Sequence, residues 1–184
     1  MSRWLIAGLG NPGRKYEGTR HNVGFMALER LAQRYRLQLS QTKFDARYTT
    51  GRIAGADVVL IQPQTFMNKS GKSVQAVRSF YDIPASKTVV LHDDIDLAAG
   101  QLKIKTGGGH GGHNGLRDII AKTGDRDFIR VRLGVGRPEH GDVTNYVLSR
   151  FDDDTLAEEL VETGCDAVET LLGDGMQRAQ NLFH

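Results

Sequence analysis

The 184-residue chain lacks several things, and each absence narrows what it can be. It has one cysteine, Cys165, so no disulfide can close within it, and a reducing cytoplasm suits it. Helical spacing around Cys165 makes it a packing residue before a nucleophile. No apolar run approaches the ~20 residues of a membrane span. The opening MSRWLIAGLGNPG holds an apolar stretch too short for a signal peptide, and no small-residue cleavage site follows it. No GxSxG or comparable Ser or Cys nucleophile motif occurs. There is no internal repeat and no linker that would split the chain. Charge is also scarce in net: 24 Lys and Arg against 22 Asp and Glu leave +2, so an anionic partner must be met by a local basic patch.

Glycine, by contrast, is abundant, and it is concentrated. Gly107 to Gly115 reads GGGHGGHNG, a composition no packed helix or strand favours, because glycine loses the most backbone freedom on folding. A flexible linker would pair glycine with serine. This run carries histidine instead and leads into GLRDIIAK, which has helical spacing. A ligand-facing loop is the better reading.

Elsewhere, strands and helices alternate. Trp4 to Leu9 reads as a short buried strand, followed by the turn Gly10-Asn11-Pro12-Gly13 and a polar loop. The apolar spacing of Val23, Phe25, Met26, Leu28, Leu31, Ala32 and Tyr35 predicts a helix. Val58 to Gln62 and Thr88 to His92 are β-branched runs typical of central strands, and Ser70 is placed to cap a helix bearing Val74, Val77 and Phe80. Leu102 to Lys105 and Phe128 to Val135 alternate as half-buried strands do. A long helix from about Thr155 to Leu172 follows the acids Asp152 to Asp154, which its dipole favours. The class is α/β in one domain, residues 1–184.

Four constellations could carry chemistry. GLGNPG, Gly8 to Gly13, fits the dinucleotide fingerprint, but a polar loop intervenes before the helix, and Glu29 sits on that helix rather than at a strand end. Second, His92, Asp93, Asp94, Asp96, His110 and His113 could suggest a metal site. They lack the i, i+4 spacing of a zinc protease, and solvated acids at a strand end suit Asp94 and Asp96 better. Third, His21 stands in a polar loop before a helix, where a lone histidine is by default a surface group. Asp93, at a strand end where α/β sheets place ligand-binding groups, could fix its tautomer. Asn11, Asn68 and Asn114 could donate to a carbonyl or a developing oxyanion, so water attack assisted by His21 is the implied chemistry. Fourth, Lys103 and Lys105 share one strand face, as do Arg130 and Arg132. Adjoining strands would gather them into a phosphate clamp or merely a solvated face.

Taken together, LIAGLGNPGRKYEGTRHNVGF, QPQTFMNKSGKSV, HDDIDL, GGGHGGHNGLRDI and FIRVRLGVGRP resemble the bacterial-type peptidyl-tRNA hydrolases in order and spacing. The segment after Arg150 matches mainly in helical character. The resemblance implies a single-domain three-layer α/β sandwich with a mixed central sheet flanked by helices. It implies a cytoplasmic monomer that cleaves the ester between a peptide and the 3′ end of tRNA, recycling tRNA from aborted translation, with no metal and no cofactor. The partner would be peptidyl-tRNA, through its acceptor stem, its CCA end and the attached peptide, with no membrane involved. His21 would be the general base, oriented by Asp93. Asn11 would tell an N-blocked peptide from a free aminoacyl group. Asn68 and Asn114 would bind substrate and place water, Phe66 and Met67 would line the site, and Gly112 and His113 would complete its wall. Tyr16 would meet the tRNA end, and Lys105 with Arg132 would grip the 5′ phosphate. A metal-dependent hydrolase, a nicotinamide enzyme and an RNA-binding module without catalysis remain the competing classes. The segment from Pro138 to Tyr146 has the glycine, proline and polar content of a lid.

Overall fold

The computed structural model describes residues 3–183. Seven strands form one sheet in the order β2-β3-β4-β1-β5-β7-β6. These are β1 (Trp4–Gly8), β2 (Gln41–Lys43), β3 (Ala46–Ile53), β4 (Ala56–Pro63), β5 (Thr88–Asp94), β6 (Leu102–Thr106) and β7 (Ile129–Gly134). The central four, β4-β1-β5-β7, run parallel, while β3 and β2 on one edge and β6 on the other are antiparallel. The mixed sheet expected from the resemblance is therefore present.

Alternation along β1 sorts its side chains onto two faces. Ile6 joins a core with α1 (Val23–Arg34), α5 (Asp154–Asp174) and α6 (Met176–Leu182). Leu5 and Ala7 face α2 (Ser70–Tyr81) and α3 (Asn114–Thr123). Helices cover both faces, so the central strands must be apolar throughout, and β1 and β5 are buried along nearly their whole length. A short α4 (Val143–Val147) lies beside the turn that precedes α1.

One expectation is corrected and others are sharpened. Ser70 does not cap α2; it is the first helical residue, and its hydroxyl donates to the Met67 carbonyl at 2.7 Å. Of the acids before α5, Asp153 is the cap, accepting from the Thr155 N–H. After GLGNPG the chain enters a 3₁₀ turn (Arg14–Tyr16) and a helix begins only at Val23, while the Glu29 carboxylate accepts from Gln62 Nε2 at 2.9 Å. A dinucleotide fold would need a helix start at that turn. Cys165 is buried against the Ala27 carbonyl, and burial pushes its thiol up to about 12. Among the described residues no helix is long and apolar enough to cross a membrane.

The chain leaves β1 toward β4 on one side and returns through α2 to β5 on the other, which puts the switch point between the C-terminal ends of β1 and β5. A crevice opens at such a place in an open α/β sheet. Two glycines make this junction tight. A Cβ on Gly24 would lie 2.4 Å from the Leu91 carbonyl oxygen, and one on Gly8 would lie 2.4 Å from the Gly24 oxygen. Helix α1 therefore starts directly on the strand ends.

Candidate active site

A cleft of about 610 Å³ opens at the switch point. Of the site residues implied by the resemblance, all but Tyr16 line it, and of the four strand cations Lys103 does not. Tyr16 stands one layer out, edge-on to the exposed Phe66 ring with centroids 6.4 Å apart.

His21 sits in a 3₁₀ turn (Arg20–Asn22) immediately ahead of α1. Three backbone bonds hold that turn: Phe25 N–H to the Leu9 carbonyl (3.1 Å), Asn22 N–H to Thr19 (3.0 Å) and Arg20 N–H to Ser149 (3.0 Å). His21 Nδ1 lies 2.8 Å from Asp93 Oδ2, with 12% of the histidine side chain and 3% of the aspartate exposed. Asp93 itself occupies β5, which runs two residues beyond the predicted strand end.

The other oxygen of Asp93 is also engaged. His113 Nε2 lies 2.8 Å from Asp93 Oδ1, while His113 Nδ1 accepts from the backbone N–H groups of Gly115 and Leu116 as the N-cap of α3. A nitrogen that accepts carries no proton, so His113 is the neutral tautomer protonated at Nε2, and it donates to Asp93. His21 then donates its Nδ1–H to the remaining carboxylate oxygen, and its Nε2 is left with a free lone pair. Among the described residues no group bonds to that nitrogen.

The electrostatics follow from these contacts. Burial alone would drive the His21 pKa down, but the Asp93 charge and hydrogen bond outweigh it, and the net shift is upward. Burial would raise the Asp93 pKa; the two histidines reverse this and hold the carboxyl far below the usual range. His92, whose Nδ1–H donates to the Asp93 carbonyl, is pulled down to about 4 by burial and by His113.

His21, Asp93 and His113 also present ligand atoms within 4.8 Å of one another, a grouping a metal ion could use. The ring nitrogens turned toward Asp93 already meet it in direct hydrogen bonds, so an ion among the three would have to displace both. His110 instead accepts from the Gly112 N–H within its own loop, and Asp96 pairs with Arg137.

Three asparagines reach the cleft. Asn11, after β1, accepts the Met67 N–H on its Oδ1 at 2.7 Å. Asn68 follows Met67 in a 3₁₀ turn (Met67–Lys69), and Asn114 opens α3 at the end of the glycine run. The run itself is a loop with four left-handed residues, Gly107, Gly108, Gly111 and Gly112. A Cβ on Gly115 would strike Met67 Sδ at 2.7 Å, so this glycine lets the N-terminus of α3 close on the asparagine pair Asn11 and Asn68 through Met67.

The basic strand faces do adjoin. Lys103 pairs with Arg132 and Lys105 with Arg130 across antiparallel β6 and β7, so all four project to one side. They are not equivalent. Arg130 is buried, and its guanidinium donates to the carbonyls of Gly108, Gly109 and Arg126, bracing the glycine loop. Arg132 Nε pairs with Asp94 Oδ2 at 2.8 Å, so Asp94 is a partner and not a solvated acid. Lys103 and Lys105 are exposed.

The sequence reading passed over Asn22, Arg20 and α4. Arg20 is buried, stacked on Tyr146 at 4.0 Å and bonded to the Tyr146 carbonyl and the Ser149 hydroxyl. Through it, the segment expected to form a lid is tied to the His21 turn, and α4 contributes Val143 and Val147 to the cleft wall.

A family model described as "Peptidyl-tRNA hydrolase" matches residues 5–184. The chain belongs to the peptidyl-tRNA hydrolase family. The match takes in the helices after Arg150, where sequence motifs alone gave only helical character. The peptidyl-tRNA hydrolase of Geobacter sulfurreducens is 45% identical across all of this chain and 96% of its own length. That of Caldanaerobacter subterraneus is 43% identical over 98% of this chain and 99% of its own. Among solved structures, a peptidyl-tRNA hydrolase crystal structure from Acinetobacter baumannii superposes with a TM-score of 0.90 at 39% identity, covering 97% of this chain and 93% of that one. The protein is accordingly a hydrolase with the mixed-sheet fold of that family, and the family implies peptidyl-tRNA as its substrate.

Proposed function

We propose that this chain hydrolyses the ester joining a peptide, or an N-blocked aminoacyl group, to the tRNA 3′ end, with His21 as general base. The observation that carries this is the 2.8 Å bond from His21 Nδ1 to Asp93, which leaves Nε2 unprotonated and open to the cleft. Asp93 orients His21 and stabilises the imidazolium that forms as water loses its proton. The attacked carbonyl gathers negative charge, and Asn11, Asn68 and Asn114 supply neutral donors for it and for the peptide.

The tRNA end lies along Tyr16, Phe66, Met67, Gly112 and His113. Lys105 takes the 5′ phosphate together with Arg132, which first has to be shared with Asp94. The two cations are diagonal neighbours across β6 and β7, a separation of ~7–8 Å that one phosphate group can bridge. The chain works as one domain and as a monomer, and the reaction needs no metal or cofactor.

The direct test is to incubate the purified protein with N-acetylaminoacyl-tRNA and with free aminoacyl-tRNA, each with and without EDTA. Release from the blocked substrate, little from the free one, and no effect of chelator are expected. Binding without release would make the protein an RNA-binding module. Loss of release in chelator would favour an ion at His21, Asp93 and His113.

A further inference from the structure

We propose that Asn22 is a positioning residue that sets Asn11 as a pure hydrogen-bond donor toward the cleft. This rests on reading Asn11 as a substrate-facing group.

The Asn22 side chain is 4% exposed and both ends of its amide are used on one residue eleven positions away. Its Oδ1 accepts the Asn11 N–H at 2.8 Å, and its Nδ2 donates to the Asn11 carbonyl at 2.9 Å. The pattern fixes the amide orientation, since the reverse would set N–H against N–H and oxygen against oxygen.

A second observation shows that this is not ordinary helix chemistry. Asn22 occupies the N-cap of α1, where asparagine usually accepts from the first helical N–H groups, yet it makes no side-chain cap bond. The side chain forgoes the local bond in favour of a remote one.

The consequence falls on Asn11. Asn22 takes its backbone N–H and carbonyl, and the Met67 N–H takes its Oδ1. Among the described residues only the Asn11 amide NH₂ is left without a partner, so this wall of the cleft donates and cannot accept. Such a group selects a carbonyl or ester oxygen. It gives nothing to a charged ammonium, which brings donors only. Because Asn22 directly follows His21, the same pair of bonds holds the donor in register with the base.

The test uses the full-length protein, with Asn11→Ala, Asn22→Asp, Asn22→Ser and the double variant Asn11→Ala/Asn22→Asp. Hydrolysis of N-acetylaminoacyl-tRNA and thermal melting are measured for each. Asn22→Asp keeps the size but sets a carboxylate oxygen against the Asn11 carbonyl. Serine cannot reach Asn11 but can cap α1. If the proposal holds, Asn22→Ser stays folded, with a melting temperature lower by roughly 2–12 °C because two buried backbone groups of Asn11 lose their partners. Its kcat, measured well below that melt, falls roughly tenfold or more, a fraction of the ~10²–10³-fold expected for losing an oxyanion donor outright. The double variant should be no slower than Asn11→Ala within about twofold, as expected for residues acting as a unit. Losses that multiply in the double variant, or wild-type kcat in Asn22→Ser, would overturn the role of Asn22 while leaving Asn11 in place. A wild-type rate in Asn11→Ala would remove both.

Discussion

Replacing Asp93 by asparagine keeps the shape of the side chain and removes its charge and one of its acceptors. In the native site both oxygens accept, one from His21 and one from His113, each at 2.8 Å. An amide oxygen can satisfy only one of them. Turned toward His113, the substituted residue sets its NH₂ against His21 Nδ1, which forces the proton onto Nε2 and disables the base. Turned toward His21, it sets NH₂ against the Nε2–H of His113, and that ring has to give up its cap on Gly115 and Leu116. A lost cap costs about 0.5–2 kcal/mol, so the productive orientation is the minor one by roughly 2–30-fold. Losing the charged partner of the developing imidazolium costs about 1.5–3 kcal/mol, or roughly 10–150-fold. Together they predict a fall in kcat of roughly 20- to 4,500-fold, with KM changed by less than about threefold, because the phosphate contacts at Lys105 and Arg132 lie elsewhere.

The pH profile gives a second readout of the same substitution. In the wild type the Asp93 charge holds the His21 pKa above its usual 6.5. The neutral base forms above that value, so activity rises with pH through a midpoint on the alkaline side of 6.5. In Asp93→Asn burial acts without the opposing charge, and the midpoint moves to lower pH. Steady-state hydrolysis of labelled N-acetylaminoacyl-tRNA from pH 5 to 9 measures both quantities. A loss below about threefold, or an unmoved midpoint, would refute the pairing.

Three further outcomes are expected. Lys105→Gln or Arg132→Gln raises KM for whole peptidyl-tRNA and flattens its salt dependence by about one ion, while hydrolysis of a short ester is spared; equal losses on both substrates would assign these cations to the fold. Gly24→Ala drives a Cβ to 2.4 Å from the Leu91 oxygen, an overpacking of about 1–3 kcal/mol that lowers the melting temperature by roughly 2–12 °C; an unchanged melt would show that α1 can back away from the strands. Exhaustive dialysis against EDTA leaves turnover within about 20% of its starting value, and recovery of a lost activity by zinc or another divalent ion would contradict the hydrogen-bonded reading of the His–Asp–His group.

The sequence carried the central strands well because burial on both faces favours β-branched residues side by side rather than in alternation, as in TVV of β5. It carried α1 and α5 through helical spacing. The hairpin of β2 and β3 escaped notice for a physical reason. Its outer face is solvated, only Ala46, Thr49 and Ile53 of β3 are buried, and the turn takes left-handed Phe44 and Asp45 with no glycine to announce it.

Within the site, His21, Asp93 and the three asparagines could be named because each is chemically expressive at its motif. The partnerships were harder to read. His113 looked like a wall residue, and its dual bond to Asp93 and the α3 backbone depends on the path of the glycine loop. Asn22 drew no notice beside His21, and its bond to Asn11 exists only because α1 abuts β1. Arg130 looked like a surface cation, yet the loop carbonyls over it make it internal. Spacing along a chain carries no record of such contacts between distant segments.

The most direct test of the account is His21→Ala, assayed by single-turnover hydrolysis of N-acetylaminoacyl-tRNA alongside its equilibrium binding. The account predicts a rate lower by at least ~10²–10⁴-fold, the usual worth of a general base, with the dissociation constant for tRNA held within about threefold. A variant that still turned over within a few-fold of wild type would contradict it, and the base would have to be sought elsewhere in the cleft.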